Sequence, residues 1–61
     1  MKLIILDINN MEYLYDGSEL NDYHDFADVL KIYRLVRVKR IYDKKEMLIV
    51  TDKIKCVYEV E

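Results

Sequence analysis

Val29-Leu30-Lys31-Ile32-Tyr33-Arg34-Leu35-Val36-Arg37-Val38-Lys39-Arg40-Ile41-Tyr42 is the stretch whose reading decides the fold. Within it the period of the apolar residues changes. Phe26, Val29, Leu30 and Tyr33 recur at i, i+3, i+4 and i+7, one face of an amphipathic helix. Val36-Arg37-Val38-Lys39 instead alternates apolar with basic, and β-branched residues prefer an extended backbone. The first pattern predicts a helix from Asp22 to Tyr33, the second a strand from Leu35 to Tyr42. Asn21 or Asp22 stands where a helix cap belongs. Asp22, Asp25 and Asp28 fill the early turns and Lys31 and Arg34 the last, the order a helix macrodipole favours.

Upstream, Leu3 to Ile8 is rich in Ile and Leu, Asn9-Asn10 suits the positive-φ positions of a two-residue turn, and Met11 to Tyr15 alternates. Together they predict a β-hairpin. Setting Ile8 against Met11 gathers Ile4, Leu6, Ile8, Met11, Tyr13 and Tyr15 on one apolar face, the expected core. Asp16-Gly17-Ser18 reads as a turn, with the sole glycine free for a left-handed conformation. Downstream, Asp43-Lys44-Lys45 is a polar turn, and Met47-Leu48-Ile49-Val50 is apolar on both faces, the mark of an interior strand. A turn at Asp52-Lys53 then sets Thr51 against Ile54, Ile49 against Cys56 and Met47 against Tyr58 in a second hairpin.

The predicted order is β-β-α-β-β-β: a small antiparallel sheet with one helix packed on it, a single α+β domain over residues 1–61. The rival is an all-β five-stranded SH3-like barrel in which residues 29–42 form one long bent strand, since Ile32, Arg34, Val36 and Val38 also fit a period of two. Agreement among cap, charge order and apolar stripe favours the helix.

A chain of 61 residues, 52% hydrophobic and 36% charged, holds one thin core and is too apolar to be a disordered acidic segment. Cys56 is the only cysteine, so no internal disulfide staples the core, and a reducing cytoplasm is the expected compartment. The apolar run at the N-terminus stops at Asp7, and no stretch approaches the roughly 18 apolar residues of a membrane span. Absence of proline and abundance of Lys, Ile, Asp, Glu and Tyr lean towards an AT-rich genome, and small size towards a bacterial, archaeal or viral accessory gene, a viral or mobile-element accessory acting in the host cytoplasm if viral.

Little of the sequence points to catalysis. Cys56 lies in the alternation Ile54-Cys56-Tyr58-Val60 and reads as a packed core thiol rather than a nucleophile activated by His24. His24 with Asp28, and Asp25 nearby, has only generic spacing, and the helix macrodipole already accounts for the acids. There is no glycine-rich phosphate loop and no Cys-x-x-Cys pair. No catalytic residue, metal site or cofactor is expected.

Charge is distributed unevenly. Residues 1–30 carry one base and seven acids, residues 31–55 nine bases and three acids, and Glu59 and Glu61 bring the total to −2. Such polarity suits a surface for a charged partner, or two halves that complement each other on folding. The leading expectation is a non-catalytic protein-interaction module, an accessory protein that binds and modulates a host protein through Arg37, Lys39, Arg40, Tyr42, Lys44 and Lys45. The alternative is a nucleic-acid-binding module on the basic strand and turn from Arg34 to Lys45, with Tyr33 or Tyr42 stacking on a base. Against that alternative stand a pI of about 5.3 and the lack of a binding motif. Three or four of the six tyrosines are expected in or beside the core. A homodimer that buries one sheet edge is compatible with either reading.

Overall fold

The computed structural model describes residues 1–60; Glu61, which enters the charge count above, lies outside the described residues. Five antiparallel strands, β1 (Lys2–Asp7), β2 (Glu12–Asp16), β3 (Leu35–Arg40), β4 (Glu46–Val50) and β5 (Ile54–Val60), form one sheet in the order β4-β3-β2-β1-β5. Between β2 and β3 the chain makes a 3₁₀ turn (Tyr23–Asp25) that runs into a helix, α1 (Phe26–Ile32). The predicted α+β order is therefore present. Asp22 caps the 3₁₀ turn, its carboxylate accepting the His24 N–H at 3.0 Å. The strand after it begins at Leu35, with Val36 and Val38 buried and Arg37 and Lys39 exposed.

The sheet is not flat. Its two edge strands, β4 and β5, are joined by a 3₁₀ turn of only three residues, Thr51–Lys53. Across five flat strands the edges would stand about 19 Å apart. The four Cα steps from Val50 to Ile54 reach at most about 14 Å. The sheet must roll until its edges approach at that corner, and the roll encloses the core. Leu3 and Ile5 of β1 are fully buried with Tyr13, Phe26, Val36 and Val38; Met1, Met11, Tyr15, Leu20, Val29, Leu30, Met47, Ile49, Ile54 and Val57 pack around them. Phe26 lies against Tyr15 with ring centroids 4.7 Å apart. Helix α1 thus covers the inner face of the sheet.

The first hairpin sits one residue away from the predicted register. Leu3 pairs with Tyr15, Ile4 with Leu14 and Ile5 with Tyr13, so Leu3 and Ile5 face the core while Ile4 and Leu6 face outward. The cause is Asp7. Its side chain accepts the N–H groups of Asn9 at 2.8 Å and Met11 at 2.9 Å and the Tyr13 hydroxyl at 2.8 Å. This closes a three-residue loop, Ile8 to Asn10, in which Asn10 takes φ 64° and Asp7 N–H donates to the Met11 carbonyl. A side-chain period of two turns a one-residue shift into an exchange of faces. Ile4 stays covered by its outer-face neighbours Leu14 and Tyr58.

The C-terminal hairpin is also corrected. β4 and β5 do not pair; β5 crosses to β1, with Lys2 against Val60, Ile5 against Val57 and Leu6 against Cys56. β4 is thus an edge strand rather than an interior one. Cys56 is exposed, not packed in the core, because its register partner Leu6 lies on the outer face. Gly17 has no positive φ. It is needed for space instead: a Cβ there would come 3.0 Å from Leu20 Cδ1, and its N–H donates to the Met1 carbonyl. Two tyrosines, Tyr13 and Tyr15, belong to the core; Tyr23, Tyr33, Tyr42 and Tyr58 are exposed. The helical stripe ends with Leu30, since the chain turns extended at Tyr33.

Candidate protein-interaction surface

Because Val36 and Val38 of β3 point into the core opposite Ile49 and Met47 of β4, the residues between them must point out. On the outer face Leu35 pairs with Val50, Arg37 with Leu48 and Lys39 with Glu46. Leu48 is 60% exposed, Leu35 48% and Val50 37%. These three side chains form an apolar cluster around the Arg37 position, at the edge of the sheet. Its signal in the sequence was the two-faced apolar run Met47 to Val50. In an interior strand a second sheet neighbour and a covering layer would hide the outer residues; on this edge nothing does.

The six residues expected to bind a partner divide into two groups. Arg37 and Lys39 project from β3, and Lys44 and Lys45 are exposed in the loop that follows. Arg40 and Tyr42 are tied up within that loop. The Arg40 guanidinium grips Asp43 through Nε at 3.0 Å and a second nitrogen at 2.6 Å, and stands 5.0 Å over the Tyr42 ring. That fork lowers the Asp43 carboxyl to about 2 and raises the Arg40 pKa. Asp43 also accepts the Lys45 N–H, while the Lys45 carbonyl accepts the Arg40 N–H at 2.8 Å. The loop is therefore rigidly built, with Lys44 at φ 58°. Tyr42 keeps its other face free and is 71% exposed.

The two oppositely charged halves are not paired by contact. Among the described residues the ion pairs within 4.0 Å are Arg40–Asp43 and His24–Asp22, both local in sequence. Arg37 and Lys39 instead line an open cleft of about 700 Å³, formed where the β2–β3 ladder ends at Leu14 and Lys39 and the strands splay. Lys2, Arg37 and Lys39 share it with Asp16, Glu19 and Glu46. Three bases against three acids do not make a cradle for a phosphate chain.

A second, apolar groove of about 310 Å³ separates α1 and its 3₁₀ turn from β5, lined by Tyr23, His24, Phe26, Ala27, Leu30 and residues 54–57. It brings His24 and Cys56 to one surface. The His24 Nδ1 is 3.0 Å from Asp22, which holds the Asp22 carboxyl below its ordinary range through the His24 N–H and ring. Among the described residues, no group of three or more His, Cys, Asp or Glu is placed to hold a metal ion, and no helix is long and apolar enough to cross a membrane.

The remaining unusual group is Asp7, 9% exposed. Burial pushes its carboxyl up, but the bonds from Met11, Tyr13 and Asn9 outweigh burial and hold it below the ordinary carboxylate range. Burial and the bond to Asp7 raise the Tyr13 hydroxyl in turn. This pair closes the first loop; it lies on the inner face, away from the Leu48 cluster.

No family model, curated protein or solved structure matches the chain.

Proposed function

We propose that the chain is a non-catalytic module that binds another protein through the outer face of the β3–β4 hairpin. The observation that carries this reading is the exposed cluster of Leu35, Leu48 and Val50 around Arg37. An apolar centre with an arginine beside it is the composition of a protein-binding core, where most of the binding energy concentrates. Lys39, Lys44 and Lys45 supply a basic rim, so the complementary surface is apolar and acidic. Arg40 and Tyr42 act differently from the other four: they fix the loop that presents Lys44 and Lys45. A reducing cytoplasm is the setting that the single free thiol supports.

The second reading, nucleic-acid binding, draws on Arg37, Lys39, Lys44 and Lys45, none of which is in an ion pair among the described residues. The acids that share the cleft of Arg37 and Lys39 favour a protein instead. The test is affinity capture from native lysate, with and without nuclease, using the parent chain, Leu48→Asp and the double variant Arg37→Ala/Lys39→Ala. The expected result is a protein retained after nuclease, lost with Leu48→Asp and weakened by the double variant. Recovery of nucleic acid that survives Leu48→Asp and fades steeply with salt decides for the second reading.

A further inference from the structure

Two backbone bonds fix which way each residue of β4 turns its main chain. Arg40 N–H donates to the Lys45 carbonyl at 2.8 Å, and Thr51 N–H to the Arg34 carbonyl at 2.8 Å. Bonded pairs alternate along an antiparallel ladder, so between these two the bonded pairs are Val38 with Met47 and Val36 with Ile49. Glu46, Leu48 and Val50 therefore turn their N–H and C=O groups away from β3, towards the side of β4 where no strand lies. Val50 stands at the corner as the cap of the 3₁₀ turn Thr51–Lys53. Glu46 and Leu48 keep both groups open, and both also place exposed side chains on the outer face. The β1–β5 ladder shifts register between Leu6 and Asp7, whereas the β3–β4 ladder runs without a shift from Leu35–Val50 to Lys39–Glu46, so the alternation holds along β4.

We propose that the partner protein adds an extended segment antiparallel to the free edge of β4, with an apolar residue opposite Leu48 and a basic residue two positions later, opposite Glu46. This rests on the protein-binding reading and names the form in which the partner arrives. Leu48 and Glu46 each exchange an N–H and a C=O with the segment, the main-chain bonding of strand addition, and antiparallel pairing is the more stable choice. The side chains set the pattern. Leu48 is 60% exposed, with Arg37 on one side and no strand on the other, so an apolar neighbour completes its cover. Glu46 is the one acid among the outward residues of β3 and β4, and among the described residues it is in no ion pair. A base opposite it lies within about 5.5 Å between Cβ atoms. Lys39, one strand further, is about 9.6 Å from that base, beyond the Debye length of about 8 Å at physiological salt. The acidic preference of the surrounding rim thus inverts at this one position. A second copy does not meet the pattern: its β4, laid antiparallel with Leu48 on Leu48, brings Val50 rather than a base to Glu46.

The test is selection from a displayed library of random peptides on the folded chain, followed by binding of the selected peptides to two altered chains. One is the full chain made by chemical synthesis with the Leu48 nitrogen methylated, which removes the open donor and keeps every side chain. The other is Glu46→Lys. Circular dichroism shows whether each is folded. The expected selection carries an apolar residue followed two positions later by Arg or Lys. Methylation is expected to weaken these peptides at least about tenfold. Glu46→Lys should weaken them about fivefold and change the preferred base to Asp or Glu. If the methylated chain does not fold, the inversion by Glu46→Lys decides alone. No selected peptide, peptides without the pattern, or peptides indifferent to either change on a folded chain overturn the edge pairing. A parent that dimerises in sedimentation equilibrium, and loses the dimer on methylation, places a second copy there and overturns it too. None of these outcomes touches the protein-binding reading, which stands or falls on the loss of captured protein with Leu48→Asp.

Discussion

β4 and β5 are the two free edges of one rolled sheet, and they are built on opposite plans. On β4 the outward residues Leu48 and Val50 are apolar, and the outward Glu46 at its start stands opposite Lys39 of β3. On β5 the charges stand on the edge strand itself, Lys55 near one end and Glu59 near the other, with Val57 midway. The first pattern has no complement in itself and fits a different surface. An open edge is a liability unless something covers it, and the two edges here present different surfaces, apolar on β4 and charged on β5.

The sharpest way to break this contrast is through β1, the strand to which β5 is attached. Ile5 is fully buried between Tyr13 of β2 and Val57 of β5. Ile5→Ala is expected to cost about 2–5 kcal/mol in urea unfolding. Hydrogen exchange should then rise most in β5 and least in the β3–β4 hairpin. Equal loss of protection in both would show that the two edges are not independent.

A smaller effect is expected at Asp7. Asp7→Asn removes the charge that accepts three bonds and should cost about 1–3 kcal/mol. The sign with pH follows from the direction of the shift. Asp7 is lowered in the folded state from 3.8, so its contribution is present above that value and disappears as pH falls through the folded pKa. Acid titration of the Asn variant should lack this part of the parent's loss of stability below about pH 4. An identical acid limb in both proteins would remove Asp7 as its cause.

Leu48→Asp then tests the β4 side. An exposed residue should tolerate the change within about 0.5 kcal/mol, so partner capture is lost while the thermal midpoint barely moves. A collapse of stability would mean that Leu48 is structural. The smallest expected effect is at the loop. Arg40→Ala releases Asp43, whose carboxyl should climb from about 2 towards the ordinary 3.8 in a carbon-detected NMR titration.

How much of this could be read from the residues alone follows the range of the interactions. The helix and the strand after it were legible because periodicity is local, as was the outward direction of Arg37 and Lys39; the first predicted turn is instead the 3₁₀ turn that Asp22 caps, and α1 runs only from Phe26 to Ile32. Asp7 was not. A carboxylate ahead of an Asn-Asn turn looks solvated until its bonds to Met11 and Tyr13 fix a three-residue loop. The pairing of β5 was hidden for a related reason, because a tight turn before a strand resembles a hairpin turn whichever strand the chain then joins. With that pairing went the status of β4: its apolar run marks an interior strand or an exposed edge equally well, and only the topology decides. Of the surface proposed for a partner, the outward charges were legible and the exposed apolar cluster beside them was not.

The route of β5 also sets a schedule. Its ladder with β1 joins Leu6 to Cys56 and Lys2 to Val60, positions 50 and 58 apart, whereas every other ladder joins residues at most 27 apart. During synthesis at 5–20 residues per second, the interval between the addition of Asp16 and that of Val60 is about 2–9 s. Throughout that interval β1 is an edge, with Leu3 and Ile5 short of the neighbour that later buries them. The strand made first is finished last, and any chaperone or protease that meets this chain on the ribosome meets its future centre uncovered.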